Sequence, residues 1–254
     1  MDFFFIVVFG VLGAICASFV GVVVARLHTG QSFLKGRSYC DACNTPLSSF
    51  SLVPVISFVA SKGCAQCCGA HISWMSPLTE VLLGFLFVLT YLTLGLTTVL
   101  AFVLLSFTIL LALVSYDLIH QILPPGLLYP FVVLSLASGF LSAFSVGNFT
   151  ETFFVASCIA LSLAAIHFFS RGRAMGLADA PLSFGLALLV GPVALTGFVF
   201  SFWIGAVVGI VLLVRRPRGS RMGVEVPFAP FLAAGFLLAY FTQWNLFTLL
   251  AASL

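Results

Sequence analysis

The sequence predicts an all-α, polytopic membrane protein with about eight transmembrane helices. Three observations carry that expectation. Of 254 residues, 62% are hydrophobic and only 7% are Asp, Glu, Lys or Arg, with 29 Phe, which is too little charge to cover a water-soluble globule. Apolar runs long enough to cross a bilayer recur along the chain. The basic residues gather in a few short loops that eight spans would place on one side, the arrangement expected of cytoplasmic loops.

Taken in order, the first run covers residues 3 to 25 and follows an acidic rather than basic start, so it reads as a retained first helix and not as a signal peptide. Its small residues near Ala14 and Ala17 suit close helix packing. Further runs are expected at about 78 to 95, 98 to 116, 127 to 146, 152 to 170 and 228 to 252. The apolar stretch from 181 to 214 is too long for one crossing at 1.5 Å per residue, and Gly191-Pro192 supplies a turn, so it is expected to form two short spans. With the N-terminus outside, Arg26, Lys35, Arg37, Lys62, Arg171, Arg173, Arg215, Arg216, Arg218 and Arg221 then all face the cytoplasm. A single span between 181 and 214 would send the last basic loop to the other side. The net charge of +3 therefore reports topology, and no nucleic-acid partner is indicated.

The chain thus divides into a first helix (1–26), a loop domain (27–77) and a membrane-embedded remainder (78–254). The loop segment holds five of the seven Cys and is too small to bury an adequate core unaided. Cys40-Asp-Ala-Cys43 and Cys64-Ala-Gln-Cys67 have the pattern of a four-thiolate zinc site, and in the reducing cytoplasm metal is a better staple than a disulfide. Cys68, beside Cys67, is an alternative fourth ligand. Ordinary reduced thiols in a folded loop are the other reading of the cluster. Cys16 and Cys158 fall inside helices, where the side chain serves as packing.

Acids are scarce enough to be weighed singly, and those at membrane depth are functional candidates. Asp117, in SYDLIHQILPPG, closes the third run, and Asp179, in RGRAMGLADAPLSFG, precedes the sixth. Two carboxylates can hydrolyse a peptide bond without metal: one, ionised, takes a proton from water while its protonated neighbour donates to the carbonyl oxygen. Spacing alone equally allows two helix-end charges that never meet. Gly172 and Gly176 permit a sharp turn and close backbone approach before Asp179. No Gly-x-Ser-x-Gly, His-Glu-x-x-His or Walker loop is present, so serine hydrolase, zinc protease and NTPase readings lack their parts.

Seven segments in order, the first helix ending VVVARL, then RSYCDACNTPL, VPVISFVASKGC, CCGAHISWMSPLTE, YDLIHQILP, GLAD and VPFAPFLAAG, resemble the bacterial prepilin peptidases, bifunctional leader peptidases and N-methyltransferases of type IV pilus, competence and type II secretion systems. The resemblance implies an intramembrane aspartyl endopeptidase of the bacterial inner membrane with Asp117 and Asp179 as the catalytic pair. It further implies an active-site loop at Gly176 and Ala178, structural zinc on the cysteines, and substrates that are prepilins or pseudopilins cut at the cytoplasmic face. S-adenosylmethionine as methyl donor is implied on the same ground. Glu80, in PLTE, belongs to one of these segments without an assigned role.

Three positions depart from the family pattern. Ala178 stands where Gly-x-Gly-Asp has its second glycine, Pro181 replaces a common lysine, and the second Cys pair of the family would fall on Ala65 and Cys68. Ala178 costs about 1 kcal/mol if that residue needs positive φ and little otherwise. An inactive or altered-specificity relative and, from a different class, a transporter or metal-binding scaffold with aspartates along an ion path are the competing readings.

Overall fold

A computed structural model describes residues 2–27, 29, 32, 39, 40, 42–48, 51, 53–143, 146–173, 175–215 and 226–246. Lys35, Arg37, Arg216, Arg218 and Arg221, and the end of the last expected span, lie outside the described residues. Among those described, the chain is helical, with two isolated antiparallel bridges and no strand. It divides into two compact units, Met1–Ala112 and Leu113–Leu254.

In the first unit, α1 (Asp2–Arg26) packs on α3 (Met75–Leu94), and the contact is made by glycine. A Cβ on Gly13 would stand 2.7 Å from the Gly84 Cα, and one on Gly84 would stand 2.8 Å from the Gly10 carbonyl oxygen. The backbones touch directly, which is how small residues drive association where lipid offers no hydrophobic incentive. Phe3, Phe4, Val11 and Ile15 on α1 are exposed, as expected of side chains whose solvent is hydrocarbon. Between α1 and α3 comes the loop segment, whose described residues include the short helix α2 (Ile56–Ala60). Glu80 ties this segment to α3. The residue is only 5% exposed and its carboxylate accepts the Val55 N–H at 2.8 Å, with Val55 at φ 60, a conformation costly for a β-branched residue.

Helix α4 (Thr98–His120) carries Asp117 in its last turn. The second unit continues with α5 (Pro125–Ser142), which begins with proline where a missing N–H costs nothing, and α6 (Val146–Ser170). The stretch expected to form two short spans holds two helices, α7 (Asp179–Val190) and α8 (Ala194–Arg215), joined by a 3-10 turn at Gly191–Val193, with Gly191 at φ 73. Pro181 falls within the first turn of α7, where no intrahelical N–H is required. Helix α9 (Ala229–Thr242) is short and apolar and packs on α7 and α8. A Cβ on Gly235 of α9 would overlap the Ser201 backbone of α8, a second glycine-mediated contact. The described residues include five helices of spanning length and the broken Asp179–Arg215 segment, and the chain is an all-α integral membrane protein.

Candidate functional site

Two groups of chemically capable side chains stand out, one in each unit. In the first, a pair of matching turns presents cysteines. Tyr39 bridges Pro46, the Cys40 N–H bonds Thr45 O at 2.9 Å, and the Asn44 N–H bonds Cys40 O at 2.8 Å. The second turn repeats this frame: Cys64 bridges His71, the Ala65 N–H bonds Ala70 O at 2.8 Å, and the Gly69 N–H bonds Ala65 O at 2.8 Å. Asn44 and Gly69 occupy equivalent left-handed positions, at φ 54 and 71. By this equivalence Cys43 corresponds to Cys68 and Cys40 to Ala65.

The four sulfurs that gather belong to Cys40, Cys43, Cys67 and Cys68, all within 4.8 Å of one another. Cys40 lies 3.7 Å from Cys68, Cys43 3.3 Å from Cys67, and Cys67 3.9 Å from Cys68. A tetrahedral zinc with bonds of about 2.3 Å needs sulfur edges of roughly 3.8 Å, so the donor set fits such an ion. Cys64, chosen from its spacing, stands apart from the four, with its Sγ 3.7 Å from the His71 Nδ1. Cys67 and Cys68, between which the sequence left the fourth ligand open, both belong to the group of four.

Electrostatics agree with this fit. The Thr45 hydroxyl and N–H, and then Cys67, hold the Cys43 thiol down to about 6. Against a lowering hydrogen bond from Ala70, the Cys43 sulfur and its neighbours push Cys68 up to about 12. Four crowded thiols cannot share negative charge, and one ionises at the others' expense. A bound cation removes that competition.

In the second unit, Asp117 and Asp179 are brought within electrostatic reach of each other, although they come from α4 and α7. Each is 6% exposed. Asp117 accepts a hydrogen bond from the Ala229 N–H, the first residue of α9. Its Oδ2 is buried without a hydrogen-bond partner among the described residues. Asp179 opens α7 and accepts from the Gly176 N–H. Both carboxylates thus use backbone donors at or just before helix N-termini, where unsatisfied N–H groups and the helix dipole favour negative charge. A Cβ on Gly176 would lie 3.4 Å from the Asp179 Oδ2, so the absence of a side chain there keeps one flank of the carboxylate open. Ala178 has φ −70 and ψ −15, ordinary helical values that exact no penalty for its methyl group.

The sequence does not single out Ala229, since a backbone donor has no side-chain signature; the stretch VPFAPFLAAG marks the place but not the atom. The His120 and Tyr116 rings lie against each other at a tilt of 34°, centroids 4.3 Å apart, and the His167 Nδ1 lies 2.8 Å from Met175 O.

The family model described as the bacterial Peptidase A24 N-terminal domain matches residues 11–94. A prepilin leader peptidase/N-methyltransferase of Bacillus subtilis is 30% identical over 91% of this chain and 91% of its own length. One of Myxococcus xanthus is 32% identical over 83% of this chain, which spans 64% of that relative. One of Dickeya chrysanthemi is 28% identical over 92% of this chain and 93% of its own length. No solved structure matches. With a relative 30% identical over nine tenths of both chains and a matched domain that covers most of α1, the cysteine turns, α2 and α3, the chain belongs to the prepilin leader peptidase/N-methyltransferase family.

Proposed function

We propose that this protein is an aspartyl endopeptidase of the inner membrane that removes the leader from prepilins or pseudopilins at the cytoplasmic face. The observation that supports it most is that Asp117 and Asp179, two buried acids from separate helices in a protein with very few acids, lie within electrostatic reach of each other. One carboxylate, ionised, takes a proton from water as the water oxygen attacks the scissile carbonyl. The other, protonated, donates to the carbonyl oxygen. Collapse of the tetrahedral intermediate, with a proton delivered to the departing nitrogen, yields a free acid and a free amine. The chemistry requires the pair to hold one proton between them, a state that like charges close together in a water-poor setting favour. The Gly176 and Ala229 N–H groups orient the two carboxylates, and the buried Asp117 Oδ2 is an acceptor available to water or substrate. An apolar pilin helix can approach from lipid while its basic leader stays in water.

Cys40, Cys43, Cys67 and Cys68 would hold zinc, which as a closed four-thiolate site supplies folding energy to the loop rather than chemistry. The relatives' names also carry N-methyltransferase activity, and methylation of the new N-terminus from S-adenosylmethionine is the second half of the proposal. Cleavage is tested by presenting prepilins to the full-length protein in liposomes: Asp117→Asn and Asp179→Asn should each insert and fold but leave the leader in place. Normal cleavage by both would refute the aspartyl mechanism. Methyl transfer is read on the same substrate with a labelled donor.

A further inference from the structure

We infer that His167 is a positioning residue for Asp179, acting through the Met175–Gly176 peptide group. The inference rests on the reading of Asp179 as a catalytic acid. His167 lies three residues before the end of α6, half-buried, and its Nδ1 is 2.8 Å from the Met175 carbonyl oxygen. A carbonyl oxygen only accepts, so Nδ1 carries the proton and donates. The N–H of that same peptide unit, on Gly176, donates to the Asp179 carboxylate. A trans peptide is planar, with its C=O and N–H pointing in opposite directions, so fixing the oxygen aims the N–H. The imidazole therefore sets the direction of a hydrogen bond that it does not itself make.

Two further features show that the chain is shaped around this ring. After α6 the backbone turns back through Gly172, whose N–H bonds the His167 carbonyl at 2.8 Å and whose φ is 76. A Cβ on Gly172 would lie 3.3 Å from the His167 Cε1, so glycine both makes the turn and leaves space for the imidazole. Rotation of the 175–176 peptide is the motion that must be prevented. Gly176 lacks the Cβ that would resist that rotation, while the same missing Cβ keeps the flank of Asp179 open. His167 supplies from outside the loop the restraint that glycine gives up. Hydrogen bonds in series through one amide also polarise one another, strengthening the donor presented to Asp179.

The experiment compares three variants in the full-length protein, with single-turnover and steady-state cleavage of a prepilin in liposomes. Asparagine places its amide nitrogen where Nδ1 stands, glutamine places it near Nε2, and leucine offers no donor. His167→Leu and His167→Gln should lower kcat by about tenfold with KM nearly unchanged, the size of one lost orienting hydrogen bond, and His167→Asn should recover most of that loss. Full kcat in His167→Leu, or His167→Asn as impaired as His167→Gln, would overturn the inference. Asp179→Asn run alongside separates the two levels. An inactive Asp179→Asn beside a fully active His167→Leu defeats only the role of His167, whereas cleavage by Asp179→Asn defeats the aspartyl reading and this inference with it.

Discussion

The cysteine turns and the aspartate pair both converge reactive groups, but by opposite routes. The turns are local: each frame closes on itself through a bridge and two backbone hydrogen bonds, and its sulfurs are held by residues a few positions away. Cys67 and Cys68 are exposed. Without a cation the thiols compete for a single negative charge. The aspartates are buried and non-local. They accept from backbone donors on α9 and on the loop before α7, and α9 packs on α7 and α8. A buried acid pair and a cysteine cluster proposed to hold zinc should therefore fail differently when cut.

The largest effect is expected at the acids. Asp117→Asn or Asp179→Asn removes half of the proton traffic and should lower cleavage by roughly a thousandfold or more, with no change in metal content or in thermal unfolding beyond a few degrees. Cleavage rate, metal analysis and a melting curve on the same preparations check all three. Next comes Cys40→Ser with Cys43→Ser. Here metal should fall from about one zinc per chain to near none, and protease sensitivity of the 27–77 segment should rise, while the aspartate pair stays folded. Zinc retained in full would mean that the cluster does not hold it.

A finer test uses the equivalence of the two turns. Cys67→Ser should release metal, and adding Ala65→Cys should restore it, because position 65 occupies in the second turn the place of Cys40 in the first. Cys64→Ser should leave zinc content unchanged. Metal lost in Cys64→Ser but kept in Cys67→Ser would reverse this assignment.

The helices, the break at Gly191-Pro192 and the two acids were legible because their signals are chemical and local: apolar length, a turn dipeptide, a carboxylate amid hydrocarbon. The metal register was legible only in part. Counting residues favours Cys64 with Cys67, but the turn is framed by the Cys64–His71 bridge and by Gly69 in the left-handed region, and that frame turns Cys64 away from the other sulfurs. The donors at Ala229 and Gly176 were not legible as donors, since every residue but proline has an N–H and only the fold decides which one meets a carboxylate. Glu80 shows a related limit. An acid in an apolar helix signals importance, but its partner, the N–H of Val55, carries no mark in the sequence.

The smallest effect concerns Ala178. Glycine at this position would matter if the residue needed positive φ, yet it sits at φ −70 and ψ −15, the backbone of a helix about to begin. Here alanine is no more strained than glycine and is less free in the unfolded chain. Ala178→Gly should accordingly change kcat by less than about twofold and lower stability slightly, by up to about 1 kcal/mol. Gly176→Ala is its counterpart, because the added methyl would meet the Asp179 Oδ2 at 3.4 Å and narrow the open flank of the acid. Its cost should appear in cleavage, about tenfold or less, and not in the melting curve. Cleavage assays and thermal unfolding on the two variants side by side decide it: a larger loss from Ala178→Gly than from Gly176→Ala would show that position 178 is the tighter constraint on the loop.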